Sequence, residues 1–244
     1  MSTGAARLDE TPWILEVNGR PLARGTHTQG NAEALGAGRL LARGVVVRRD
    51  DLFDITATTL EPGLTLIRAE VDPTRRWIAE QEYQHTLERG CGLLHVVACD
   101  ASTVRHDRSL PVPPPDRFPA LFRTLFDAAA TRYPDGGVHA AALTDGHRLI
   151  RQIEDVGRHN AVDKVLGSAF LERIDLRATG LLLSARVSGR IAHSAARAGV
   201  AWVASRSVLT TLALAIAAAA ELPVIERAAG PRSRVTPTRA ITEI

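Results

Sequence analysis

Glu154-Asp155-Val156-Gly157-Arg158-His159-Asn160-Ala161-Val162-Asp163-Lys164-Val165-Leu166-Gly167 is the stretch on which the reading of this chain turns. It reads as a turn that delivers polar groups to the start of a helix. Gly157 permits a positive φ. Asn160 is placed to cap the helix, and Asp163, three residues on, stands where a capping-box acid would. Arg158 and His159 then lie beside free backbone N–H groups at the positive end of the helix, an arrangement suited to an anion or a phosphate. On these residues alone two readings stay open: a charged surface loop with a good cap, and an anion site built on a helix start. Beyond them Ala161, Val162, Val165, Leu166, Ala169 and Phe170 share one face, which predicts a helix over Ala161 to Phe170 packed on a core.

Strands and helices alternate on both sides of this segment. Upstream, Arg117 to Arg132 reads as a helix with Phe118, Leu121, Phe122, Leu125 and Phe126 on one face. Val138 to Leu143 and Arg148 to Ile153 read as paired strands around a Thr144-Asp145-Gly146-His147 turn, whose His147 and Asp145 are expected to face solvent. Downstream come a strand at Leu181 to Ser184, a short helix from Ile191 to Ala198 ended by Gly199, and a strand at Val200 to Ala204. A helix from Val208 to Glu221 and a last strand at Pro223 to Ile225 follow. This alternation predicts an α/β fold with a mixed sheet covered by helices.

Nearer the start the pattern is looser. Residues 13 to 17 read as a strand entering a tight turn at Asn18-Gly19. Asn31 is a candidate cap for a helix from Ala32 to Ala42, Val45 to Val47 reads as a strand, and residues 52 to 71 read as two strands around Glu61-Pro62-Gly63. Asp72 to Arg108 has no clean period. Residues 111 to 116, Pro-Val-Pro-Pro-Pro-Asp, form a stiff extended linker. The expected organisation is a smaller α+β part over residues 1–110 and an α/β domain over 117–244.

Composition narrows the classes. The chain has 244 residues, 45% hydrophobic and 23% charged, ordinary for a globular protein. Thirty basic residues stand against 27 acidic ones, and Lys164 is the only lysine. The arginines are scattered and aromatics are few, so no nucleic-acid partner is expected. The most apolar window, Val208 to Ala220, is too short to span a bilayer, so no membrane partner is expected either. Met1 to Pro12 carries acids early and has no apolar signal-peptide core, which makes the cytoplasm the expected compartment. Cys91 and Cys99 are the two cysteines, and the absence of a C-x-x-C pair argues against structural zinc.

The string from Glu154 to Gly167 closely resembles the signature of the formate dehydrogenase accessory sulfurtransferases of the FdhD/NarQ type. Looser agreement comes from Val17-Asn18-Gly19, from Gly38 to Val46, from Val138 to Leu143, from Ser188-Gly189-Arg190-Ile191 and from Ala195 to Val200. The resemblance covers most of the chain from about residue 10. It implies a cytidine-deaminase-like C-terminal domain and a homodimer. It also implies a sulfur carrier that takes a persulfide from a cysteine desulfurase and passes it to the bis-guanylate molybdenum cofactor destined for formate dehydrogenase. The carrier cysteine of the family lies in a C-G-x-C-G loop, and Cys91 in Gly90-Cys91-Gly92 matches its first cysteine. Arg89 and His95 are candidates for lowering the Cys91 thiol pKa, as a persulfide carrier requires. The late stretch Arg227-Ala228-Ala229-Gly230-Pro231-Arg232 occupies the place of the family's cofactor contact. Arg158, His159 and Asn160 would hold an anionic portion of the same cofactor.

The chain departs from the family pattern at several places. Leu94 stands where the second cysteine belongs and His95 where a glycine belongs. The Gly189-Arg190 region is shorter by about one turn and lacks its glutamate, and the aromatic of the late stretch is gone. These losses leave a second reading open, a relative that binds the cofactor or a nucleotide without moving sulfur. Deaminase chemistry is excluded. It needs His-x-Glu followed by Pro-Cys-x-x-Cys, whereas Ala141 replaces the acid after His139 and no cysteine follows Cys99. His139 is expected to hydrogen-bond within the fold.

Overall fold

Asn18 and Gly19 both adopt positive φ, 47° and 77°, the backbone of a two-residue hairpin turn. They join β1 (Thr11–Val17) to β2 (Arg20–His27). The computed structural model describes residues 8–60, 63–75, 78 and 109–236. Along β1 the residues Trp13, Leu15 and Val17 alternate inward. Helix α1 (Ala32–Ala42) follows, and β3 (Leu52–Leu60) and β4 (Leu64–Val71) complete a four-stranded sheet in the order β2-β1-β4-β3, with β1 and β4 parallel. Asn31 holds the N-cap position of α1 in a left-handed conformation, without a side-chain cap bond.

The rest of the described chain begins with α2 (Phe118–Arg132), β5 (His139–Thr144), β6 (Leu149–Asp155) and α3 (Arg158–Leu171). After these come β7 (Gly180–Leu183), α4 (Gly189–Ala198), β8 (Trp202–Ser205), α5 (Thr211–Ala219), β9 (Val224–Glu226) and β10 (Arg234–Thr236). Their six strands form a mixed sheet in the order β10-β9-β8-β7-β5-β6. Strands β7, β8 and β9 are parallel, and β5 is antiparallel to both β6 and β7. Strand β6 therefore points the same way as β7, β8 and β9.

Alternation along these strands feeds two cores. Ala141, Leu143, Leu181, Leu183, Val203 and Val224 face α3, α4 and α5. Ala140, Ala142, Leu182, Trp202, Ala204 and Ile225 face Phe118, Phe122 and Leu125 of α2. Trp202 meets Phe118 edge-on, with centroids 5.7 Å apart, and its indole N–H donates to the Pro111 carbonyl at 3.1 Å. The proline-rich segment is thereby tied to the back of the sheet. The first core continues without a break into Trp13, Leu15, Leu35, Leu40 and Ile67 of the N-terminal sheet and α1.

Helices α1 and α3 lie back to back between the sheets, and ten of the eleven residues of α1 are buried. Their contact is backbone on backbone. A Cβ on Gly167 would sit 1.9 Å from the Ala34 carbonyl oxygen, and one on Gly38 would sit 1.8 Å from that of Asp163.

The structure corrects several local expectations. Val45 to Val47 is a loop rather than a strand, because the end of α1 closes onto it through Val45 N–H to Leu40 O. The last long helix is confined to Thr211–Ala219, with the Thr210 hydroxyl accepting from Ala213 N. Helix α3 starts at Arg158, three residues before the expected start, and its N-cap is Gly157 with φ −98°, not Asn160. The pair Asn160 and Asp163 forms no capping box, since both side chains point into the joint with α1. Strands β2 and β10 are not among the expected strands.

The close helix approach has a direct consequence. Gly167→Ala places a methyl on backbone that cannot rotate away and is expected to cost about 1–3 kcal/mol. Gly36→Ala meets side chains rather than backbone, Ile67 Cγ2 at 2.7 Å, Ile55 Cδ1 at 3.0 Å and Leu15 Cδ1 at 3.4 Å, and regains helix propensity of about 1 kcal/mol, so it should be milder. Urea denaturation of both variants checks the ordering.

Candidate functional site at one edge of the sheet

Because β6, β7, β8 and β9 point the same way, their carboxyl ends open on one edge, the usual ligand position of such sheets. Strand β6 ends at Asp155 and leads into Arg158 and His159. Strand β7 leads into Ser188, which caps α4 by accepting from Ile191 N. Strand β8 leads into Arg206, and β9 into Arg227–Arg232. His139 begins β5 and pairs in register with Asp155, so it lies on this edge too.

Asp155 organises the head of α3. Its carboxylate is fully buried and accepts from Thr28 N, Gly157 N, the Asn160 amide and Lys164 Nζ, at 3.2, 2.8, 3.0 and 2.8 Å. Lys164 Nζ also donates to Thr28 O at 2.6 Å, and Val156 N donates to the Thr28 hydroxyl at 2.9 Å. The loop after β2 is thus held to the start of α3 by all three polar groups of one threonine. Burial pushes the Lys164 ammonium below its usual pKa, against the opposing pull of Asp155.

A second buried cluster extends the first. Arg39 of α1 lies with Cζ 5.3 Å from the Trp13 ring, pairs with Asp163 at 2.9 Å and donates to Asn160 Oδ1 at 2.9 Å. Asn160 in turn donates to Thr26 O at 2.7 Å. Asp163 also takes Arg190 of α4 at 3.1 Å. Asn160 is therefore engaged at both ends of its amide within the α1–α3 joint.

Arg158 and His159 remain at the edge. The His159 ring meets the Ser188 hydroxyl at 3.0 Å, joining the heads of α3 and α4. Burial, then Arg158, push this imidazole down to about 4. Burial, then Arg158, also lower His139. Contrary to expectation, the His139 ring makes no hydrogen bond among the described residues; it stands half-buried near Arg158. His147 is exposed, and Asp145 beside it is half-buried, accepting from His147 N and Arg148 N in the turn.

The stretch Arg227–Arg232 is divided by its turns. Arg227, Gly230, Pro231 and Arg232 line a cavity of about 480 Å³ with Arg206, Ser207 and Val208. Ala228 and Ala229 instead pack on the core behind the sheet. Cys91, with Arg89, Leu94, His95 and Cys99, lies outside the described residues. The amino-acid pattern did not single out Ser188 or Arg206 as site residues. The signal for Arg206 was its place just after a strand of the parallel set.

A mixed α/β protein with a cationic carboxyl edge, its N-terminal sheet docked on the first helix of that edge, is the class that fold and site define. The chain belongs to the FdhD/NarQ family, whose profile matches residues 8–238. The sulfur carrier protein FdhD of Streptomyces avermitilis is 35% identical over 232 residues, covering 88% of this chain and 81% of that protein. The protein of the same name from Burkholderia cenocepacia is 33% identical over 233 residues, with the same coverage of 88% and 81%. A crystal structure described as a formate dehydrogenase accessory protein from Desulfotalea psychrophila shares the fold. It aligns with a TM-score of 0.69 at 22% identity over 96% of this chain and 88% of that one. No described helix is long and apolar enough to cross a membrane.

Two measurements test the site. Lys164 is expected to resist amine acylation in the native protein and to react only on unfolding; because the chain has no other lysine, intact mass reads this as one label beyond any on the α-amino group. Lys164→Met should cost about 3–5 kcal/mol by stranding Asp155, and Asp155→Asn in the same chain should recover part of it.

The second concerns His159 and His27; burial, then Lys164, push His27 to about 4 as well. Both folded pKa values lie below the unfolded value of 6.5, so the unfolded chain binds more protons between pH 6.5 and 4. The stability these rings contribute is complete above pH 6.5 and is lost as pH falls through that window. Asp163, raised to about 6 by burial, works the opposite way and is common to every variant compared. Urea melts at pH 7, 5.5 and 4.5 should show the wild type losing stability relative to a His27→Gln/His159→Gln double variant.

Proposed function

We propose that this chain is a sulfur carrier in formate dehydrogenase maturation. In this reading Cys91 accepts sulfur from a cysteine desulfurase, and the carboxyl edge of the large sheet holds the bis-guanylate molybdenum cofactor, the substrate that receives it. Membership of the FdhD/NarQ family over nearly the whole chain, with relatives named sulfur carriers, is the observation that carries the reading. The edge supports it chemically. The cofactor bears phosphates, and Arg158, Arg227 and Arg232 stand at the ends of parallel strands where anions are ordinarily held.

Loading needs no group beyond the two cysteines. The Cys91 thiolate attacks the terminal sulfur of the desulfurase persulfide. A new S–S bond forms on Cys91, the old one breaks, and the desulfurase cysteine leaves as a thiolate. A single cysteine suffices for this step, so Leu94 in the second position does not forbid it. Leu94 does favour a second reading, a cofactor- or nucleotide-binding relative that no longer carries sulfur. A homodimer and a cytoplasmic setting belong to the first reading.

Intact-mass spectrometry after incubation with a cysteine desulfurase and cysteine separates the two. A gain of about 32 Da that reductant removes and that Cys91→Ala abolishes is the expected result. If the wild type gains nothing while the desulfurase loads another acceptor, the non-carrying reading replaces this one.

A further inference from the structure

Several arginines elsewhere in this protein have acidic partners. Arg39, Arg132, Arg173 and Arg190 each lie within 3.2 Å of a carboxylate oxygen. Arg206, Arg227 and Arg232 differ. They share one cavity of about 480 Å³, no carboxylate lines it, and among the described residues none of the three forms an ion pair. Three like charges gathered without a counter-charge repel one another, an arrangement that a bound anion would relieve.

Backbone bonds hold two of the three guanidinium-bearing segments together before any ligand arrives. Arg206 N donates to Leu183 O at 3.0 Å, fixing the loop after β8 to the end of β7. Ser207 N donates to the Ser205 hydroxyl at 2.9 Å, and that hydroxyl donates to Ala185 O at 2.7 Å. The loop after β9 is then bonded onto this one, through Arg227 N to Ser207 O at 2.8 Å and Ala228 N to Ser205 O at 2.9 Å. Arg227 itself has φ 51°, a left-handed conformation that glycine takes more easily. Such strain at a cavity wall points to a side chain kept for its contacts.

We propose that Arg206 is a ligand-binding residue, which with Arg227 and Arg232 forms a three-guanidinium cradle for a pyrophosphate-bearing small molecule. Each guanidinium presents paired donors that match phosphate oxygens. Three of them exceed what one phosphate needs, and the volume falls within the range of small-molecule sites, about 300–1,000 Å³. The inference rests on the cofactor-binding half of the proposed function and names the residue, from a different loop, that completes its phosphate site. It does not depend on sulfur transfer.

Isothermal titration of the full chain with inorganic pyrophosphate, and separately with orthophosphate, at low ionic strength provides the test. The wild type should bind pyrophosphate more tightly than orthophosphate. Arg206→Ala should weaken pyrophosphate binding about ten- to a hundredfold, and Arg206→Lys should restore part of the loss. Arg206 is exposed, so an unchanged thermal midpoint in both variants separates lost contact from lost fold. Pyrophosphate bound equally by wild type and Arg206→Ala, or bound by neither, overturns the inference. Loss of Cys91 persulfide loading with Arg206-dependent pyrophosphate binding intact would instead sink the sulfur-carrier reading and leave this one standing.

Discussion

Asp155 and Lys164 meet at 2.8 Å with both side chains almost wholly out of solvent. Such a pair is not in itself a source of great stability, since desolvating the two charges offsets much of their attraction. Its consequence is positional. The ammonium has three donors, and the two bonds to Asp155 and Thr28 O can be made only when the loop after β2 lies against the head of α3. The Asp155 carboxylate has no acceptor position wasted, because Thr28 N and Gly157 N fill what Lys164 and Asn160 leave. Sliding either half relative to the other would bury several unpaired polar groups at once, which costs far more than the individual bonds contribute. The close contact of Gly38 and Gly167 is the apolar counterpart of the same joint: helices this near can bring Arg39 to Asp163 and Asn160 without a long reach.

This joint connects the architecture to the edge. Asn160 and Asp163 face inward on α3, so Arg158 and His159, one turn earlier, are left facing the mouth of the sheet. His159 then reaches Ser188, and Arg190 returns from α4 to Asp163. The heads of two helices are therefore held in fixed relation by one network whose buried end lies at Trp13 of the other sheet and Thr28 in the loop after β2. A change in the N-terminal half that shifts α1 acts on the position of Arg158 through these bonds, with no need of direct contact with a ligand.

The residues from Glu154 to Gly167 carry the family resemblance, yet the fold uses some of them in other roles than the motif suggests. Reading outward from the motif, Asn160 looked like a cap because caps are commonly asparagine, and nothing in one chain says that Arg39, more than a hundred residues away, takes that amide instead. Periodicity reported α3, α2, β1 and β3 to β9 to within a few residues because each has a face that must be buried, but it gave no range for the largely exposed β2. It missed β10, whose three residues are largely exposed, and it misread Val45 to Val47. Those valines are β-branched and apolar, but Val45 and Val46 are buried by the returning end of α1 rather than by strand pairing. Arg206 could not be chosen among so many arginines until strand order brought its loop beside Arg227.

The lone lysine makes the same point from chemistry. Every other basic side chain in this protein is arginine, including those in buried pairs such as Arg39. Composition alone treats Lys164 as a remnant of a bias. Its surroundings give a physical reason for its persistence. A guanidinium is planar and fans five donors across its width, whereas the space between Asp155 and Thr28 presents a carboxylate oxygen and a carbonyl oxygen to one atom. A compact charge meets both with one nitrogen and leaves fewer donors unpaired in the core than a five-donor guanidinium would. Arg39 sits where the opposite shape is wanted, its Cζ over the Trp13 ring at 5.3 Å and its donors shared between Asp163 and Asn160. The two cations of the joint are therefore not interchangeable, and the identity of each follows from the number and spread of the acceptors it must satisfy.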